Sequence, residues 1–224
     1  MCGRFKLTTP FSELVRLYGL TNSVNLRARY NIAPTQDIAA VRSHTEGRAL
    51  DMLRWGLIPF WAKDRKIGYT TINAMAETVA SKATFREAFK KRRCLIVADG
   101  FYEWAKIGPK EKQPYLIQMR DRSPFAFAGL WEYWKDKTTD EIVESTTIIT
   151  TDANSVSAPI HNRMPVILTT MDYPKWLAEE PATQDELQAM LKPFDPKGME
   201  AIRIGPRIGN VRNNDANLIE PARC

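Results

Sequence analysis

Six short apolar runs, Cys94–Ala98, Tyr115–Met119, Phe125–Leu130, Thr146–Thr150, Val166–Leu168 and Ala201–Ile204, limit this chain most. They have the length of strands, and turn residues separate them. Helix signatures are fewer. Thr9-Pro10 followed by Phe11, Leu14, Val15 and Tyr18 predicts a capped amphipathic helix stopped by Gly19. Thr84-Phe85-Arg86-Glu87 reads as a capping box opening a helix to about Arg92, and Thr183-Gln184-Asp185-Glu186 as another opening one through Leu191. Asp99-Gly100, between two apolar runs, predicts a hairpin. There is no βαβ rhythm, so the expectation is an α+β fold: a mainly antiparallel, twisted or barrel-like sheet core with flanking helices. No repeat or low-complexity linker divides the sequence, which predicts one domain over residues 1–224.

Three widely spaced cysteines, Cys2, Cys94 and Cys224, argue against a disulfide framework and for a reducing, cytoplasmic setting. Cys94, inside an apolar run, reads as a buried structural thiol, and Cys224 as a dangling terminal one. With only His44 and His161, and no CxxC or HxxxH spacing, neither a metal nor a cofactor is expected. No run approaches the length of a membrane span. A net charge of +6 with six tryptophans suits a polyanion with exposed bases, although charge alone speaks to association rather than fold.

Cys2 carries distinctive chemistry. The residue after an initiator Met is small, so trimming of Met1 would leave a cysteine bearing a free α-amine. Such an amine, with a pKa of about 8, is far more often neutral than a lysine at about 10.4. Neutral amines attack carbonyls to form Schiff bases, and the thiol of the same residue can then close a thiazolidine on an aldehyde. No apolar stretch precedes Cys2, which argues against a secretory or lipoprotein signal, and a terminal Cys224 argues against prenylation.

Other segments carry polar groups suited to chemistry. Arg4 follows Gly3 and suits a phosphate or a solvated face. Asn73 lies between apolar residues and either orients a ligand or ties down a loop. Strand alternation puts Glu103 on the face of Phe101, opposite Tyr102 and Trp104. There it is either a desolvated carboxyl of raised pKa or a surface residue on an edge strand. His161 sits in the proline-bracketed stretch Ala158–Pro165 and is the best general acid–base candidate.

Met1-Cys2-Gly3-Arg4, Arg29–Pro34, Trp55–Pro59, Asn73-Ala74, Ala98–Trp104, Ile160–Pro165 and Leu218–Pro221 together resemble the signature blocks of the SRAP (SOS response-associated peptidase) family. The set runs in family order over nearly the whole chain. The resemblance implies an abasic site processing protein that crosslinks to abasic sites in single-stranded DNA through Cys2, during the DNA damage response. Asn73, Glu103 and His161 match the family's polar active-site residues. Arg4, Asn31, Phe60, Trp61, Arg86 and Arg163 would contact DNA. Relatives commonly carry arginine two residues after the asparagine. This chain has Met75 there, so that phosphate contact is missing or supplied by a neighbour such as Lys63 or Arg86. The expected protein is a monomer, associated with the nucleoid if bacterial, with lyase and N-terminal autoproteolytic activity as further expectations. Two alternatives stay open: a thiol peptidase using Cys2, His161 and Glu103, and a non-covalent reader of damaged or modified DNA.

Overall fold

A closed ring of strands organises the molecule, and the computed structural model describes residues 2–222 of it. Its strands are β1 (Phe5–Leu7), β2 (Arg29–Ile32), β3 (Asp37–His44), β4 (Gly47–Trp55), β5 (Asn73–Met75), β6 (Arg93–Ala98), β7 (Gly100–Lys106), β8 (Lys112–Met119), β9 (Phe125–Lys135), β10 (Ile142–Asp152), β11 (Arg163–Pro165), β12 (Ile167–Leu168) and β13 (Met199–Arg203). Helices α1 (Phe11–Tyr18), α2 (Arg86–Lys91), α3 (Tyr173–Trp176) and α4 (Gln184–Ala189) are short. The ring runs β4–β3–β6–β9–β10 through antiparallel pairs, and β10 returns to β4 in parallel at Thr146↔Trp55. Closure removes the free edges that an open sheet would expose. Inside, a side chain on Gly129 would meet Cys94 Sγ at 2.8 Å, so glycine is required by close approach. Cys94 is fully buried, and burial pushes its thiol up to about 12.

A second, antiparallel sheet, in the order β13–β8–β7–β1–β2, lies against the barrel. Phe5 of β1 packs edge-on against Trp55 and Phe127, with centroids 5.3 and 5.9 Å apart. The opposite face of this sheet carries Tyr102 and Leu116, which meet Ile204, Ile208 and Leu218 of the C-terminal segment in a small core of their own. The α+β class with a barrel-like core is therefore what the chain adopts.

Local expectations fared unevenly. Helix α1 ends at Gly19, whose φ of 65° is the left-handed stop that glycine provides. Its start carries no side-chain cap, because Thr8 and Thr9 bond instead to the Asp99 carboxylate at 2.5–3.0 Å. The Thr183–Glu186 capping box forms, and its helix ends at Ala189 rather than Leu191. The Thr84–Glu87 box does not form: Phe85 is the N-cap of α2 and makes no capping bond. Asp99-Gly100 is not a hairpin turn. β6 belongs to the barrel and β7 to the second sheet, so the chain changes sheets there. With the Asp99 carboxylate taken by the two threonines, it is not available to close a two-residue turn. Cys224 lies outside the described residues.

Candidate functional site

The second sheet brings Cys2 to Glu103. β1 pairs β7 with Phe5 opposite Phe101 and Lys6 opposite Gly100, and the Tyr102 N–H donates to the Arg4 carbonyl at 2.9 Å. One further step of this register sets Gly3 opposite Glu103. The Cys2 side chain is fully buried, and its thiol donates to the Arg4 carbonyl at 3.9 Å. Burial first, and then the charge of Glu103, push the Cys2 thiol pKa far above the usual thiol range.

Glu103 is buried on β7, an inner strand between β1 and β8, and so is not a surface residue of an edge strand. Burial raises its carboxyl to about 7, against the opposing pull of the amino-terminal charge. A carboxyl of that value exists in both protonation states at neutral pH, the condition for shuttling protons.

β10 carries two more groups on its neighbours. β5 pairs with it at Ile148↔Asn73 and β11 at Asp152↔Arg163. The amide of Asn73 donates to the Ile148 carbonyl at 3.4 Å, while its buried Oδ1 receives no donor among the described residues. His161, two residues before β11, accepts the Arg163 N–H at Nδ1, 3.1 Å away. A backbone N–H occupying that lone pair places the proton of the neutral ring on Nε2. Burial, followed by the amino-terminal charge, lowers the His161 pKa, so the ring is neutral at pH 7.

Arg4, Glu103 and His161 meet in one cleft of about 420 Å³, together with Trp104, Lys112 and Gly209. Asn73 does not line it. Arg4 Nη1 donates to Asn31 Oδ1 at 2.6 Å and to the Ile208 carbonyl at 2.9 Å, and Nη2 reaches the Gly209 carbonyl at 3.5 Å. Its guanidinium also lies 5.9 Å from the centre of the Trp104 ring. These partners are neutral, so among the described residues no carboxylate balances the cation, and burial lowers its pKa. Asn31 is buried, and its amide donates to the carbonyls of Ile208, Asn210 and Asn213 at 2.9–3.3 Å.

The other expected contacts lie apart from this cleft. Arg163 forms a fork onto Glu77 at 2.7 and 3.0 Å and also reaches Asp152 at 3.0 Å, so carboxylates already balance its charge. Phe60, Trp61 and Met75 are about half exposed, and Arg86 is exposed at the start of α2. Lys112 and Gly209 were not anticipated. Lys112 sits in a polar stretch with no motif around it, and Gly209 contributes main chain, which leaves no trace in residue type.

Fold and cleft together define an α+β sheet-and-barrel protein with a buried cysteine just ahead of an inner strand and the buried carboxyl of Glu103 beside it. The profile of the SOS response associated peptidase (SRAP) family matches residues 1–211, and the chain belongs to that family. It is 41% identical over 223 residues to "Abasic site processing protein YoqW" of Bacillus subtilis, covering 98% of this chain and 99% of that one. It is 32% identical over 202 residues to "Abasic site processing protein YMR114C" of Saccharomyces cerevisiae, covering 87% of this chain and 53% of the yeast protein. A crystal structure of a Bacteroides thetaiotaomicron protein superposes with a TM-score of 0.90 at 31% identity, covering 99% of this chain and all of the other.

Proposed function

We propose that this protein processes abasic sites in single-stranded DNA by capturing them covalently through Cys2 after Met1 is removed. The Bacillus subtilis and yeast relatives are named abasic site processing proteins. The observation that carries the reading is the protonation pattern around Cys2. A thiol peptidase needs a thiolate, and such cysteines sit in surroundings that depress their pKa. Here burial and Glu103 push the thiol pKa the other way. On this reading the amine is the first nucleophile, and the neutral thiol follows.

The ring-opened abasic sugar carries an aldehyde at C1′. The Cys2 amine adds to it, giving a carbinolamine. Loss of water from the carbinolamine gives the imine, and the S–H bond then adds across C=N. The sulfur joins C1′, the proton goes to nitrogen, and one water is released in all. His161, with its proton on Nε2, would donate to the sugar ring oxygen during opening. Glu103 would accept a proton from the attacking amine and return it to the departing hydroxyl, which its pKa of about 7 permits. Asn73 would orient the sugar through its undonated Oδ1. Arg4, whose cation is balanced by no carboxylate among the described residues, would take a phosphate. An imine at C1′ also acidifies C2′, so slow β-elimination is a side reaction of the same intermediate. The protein would act in the cytoplasm as a monomer.

The test is denaturing-gel crosslinking to single-stranded DNA bearing one abasic site, with and without borohydride. Cys2→Ser should be trapped only with borohydride, since its amine remains but hydroxyl closure gives a labile ring. A variant with an extra residue retained before Cys2 should fail in both assays. A heat-stable adduct from that blocked variant, formed as fast as in wild type, would overturn the mechanism. Wild-type binding that never survives denaturation would favour a non-covalent reader.

A further inference from the structure

We propose that the Cys2 cleft also captures free open-chain sugar phosphates, small aldehydes that carry a phosphate, and holds each as a thiazolidine that closes the site to DNA. This rests on the aminothiol reading above and extends its substrate class from a polymer to a monomer.

The reaction needs an aldehyde and nothing of the strand around it. The Cys2 amine adds to the carbonyl carbon, one water leaves to give the imine, and the S–H bond then adds across C=N. A C–N bond and a C–S bond form, the thiol proton ends on nitrogen, and no oxidant or reductant enters. A free sugar aldehyde satisfies that balance as well as an abasic sugar does.

The cleft has the size for a monomer. Its volume of about 420 Å³ falls toward the lower end of the ~300–1,000 Å³ range of small-molecule sites. Arg4, Glu103, Trp104, Lys112, His161 and Gly209 line it. Phe60, Trp61, Arg86 and Arg163, the residues expected to hold a longer strand, do not. The cleft is therefore walled without any group reserved for flanking nucleotides.

Charge selects the phosphate. Arg4 commits N–H groups to the Asn31 side chain and to the Ile208 and Gly209 carbonyls. Its remaining donors, Nε among them, have no acceptor among the described residues. Lys112 is exposed and stands opposite Lys106, and the lysine ion pairs of the described residues are those of Lys66, Lys135 and Lys175. Glu103 is the one carboxyl on the wall. Burial raises it to about 7, so at neutral pH it carries only part of a negative charge against two cations. The His161 ring, lowered in pKa by burial, adds no charge.

Spacing fits a short molecule. Arg4 follows Cys2 by two residues, so their Cα atoms are at most about 7 Å apart. An open-chain sugar of a few carbons, with its aldehyde at one end and its phosphate at the other, bridges a step of that size. Once captured it occupies both the nucleophile and the phosphate donor, and so competes with abasic DNA for one site.

The experiment incubates the mature protein, with Met1 removed, with 2-deoxyribose 5-phosphate or glyceraldehyde 3-phosphate at neutral pH and reads intact mass. The expected product is a single adduct, heavier by the aldehyde minus one water, with a matching loss of crosslinking to abasic DNA. Unphosphorylated deoxyribose and glyceraldehyde should react at least about tenfold more slowly. Arg4→Ala should erase that preference, and Lys112→Ala, at an exposed position, should lower the rate with the phosphorylated sugars about threefold. Equal rates with and without phosphate would overturn the proposal, as would a preference untouched by both substitutions. The same adduct on a variant with an extra residue retained before Cys2 would place it on lysines and overturn the proposal too. Wild type that crosslinks abasic DNA but takes no sugar phosphate overturns this inference alone; wild type that captures neither overturns the Cys2 mechanism with it.

Discussion

Arg4 Nη1 lies 2.6 Å from Oδ1 of Asn31, and among the described residues no carboxylate shares that guanidinium. Asn31 holds the cation in place while its amide gathers three carbonyls of the 208–213 segment. Every polar atom of its side chain is therefore committed inside the protein.

Asn31 should act on DNA through Arg4. Arg4→Ala is expected to weaken single-stranded binding across all sequences and to lower the salt slope by about 1. Asn31→Ala should weaken binding in wild type and have little further effect in the Arg4→Ala background. A double-mutant cycle measures this directly. Additive losses would make Asn31 an independent contact.

Glu103 should make stability depend on pH. A folded value of about 7 against the ordinary 4.5 corresponds to up to about 3 kcal/mol. Because the folded carboxyl binds its proton more tightly than the unfolded one, stability is highest below pH 4.5 and falls as pH rises through 7. Glu103→Gln should remove that slope and be the more stable protein at pH 8. Denaturant melts at pH 5 and pH 8 provide the check; parallel curves for the two proteins would exclude a raised carboxyl.

His161 should set the rate of capture at neutral pH without setting affinity. With the ring already neutral at pH 7, lowering the pH from 8 to 7 should not remove its contribution. His161→Ala is expected to slow adduct formation about 10²–10⁴-fold. Binding to undamaged strands should stay at the wild-type level. Quenched crosslinking time courses from pH 6 to 8 measure it, and a wild-type rate would remove His161 from the mechanism.

Met75 offers a gain-of-function test. It is exposed on β5, two residues from Asn73 and so on the same face of that strand. Met75→Arg should tighten single-stranded binding and steepen the salt slope by about 1. An unchanged slope would mean that no phosphate passes there.

Much of this arrangement could be read from residue order, and the failures have physical causes. The alternation that put Glu103 beside Phe101 holds because β7 has two differently packed faces, one against the barrel and one against the C-terminal segment. The same reasoning had no purchase on β3. Residues Ile38 to Arg42 are buried in succession, so its sequence has no period of two. Arg42 is accommodated there only by bonding Asp51 and Glu144 and stacking 4.4 Å from the Trp131 ring. Asp99-Gly100 misled because the partner of the Asp99 side chain, the Thr8–Thr9 pair, lies far away in sequence. The acceptors of Arg4 escaped notice for a similar reason. Beside the Asn31 side chain, they are backbone carbonyls more than two hundred positions away, and residue type leaves no trace of those.

β1 is hydrogen-bonded on both flanks, to β7 and to β2. In the proposed adduct, the residue carrying DNA heads a strand that cannot be peeled away without opening the sheet. An exopeptidase trimming from the far end of the chain would reach it last. A protease acting on the folded protein would find Cys2 buried and β1 paired on both sides. Clearing such an adduct would therefore call for machinery that pulls the whole protein apart, and what remained on the DNA would be a short peptide beginning Cys-Gly-Arg-Phe.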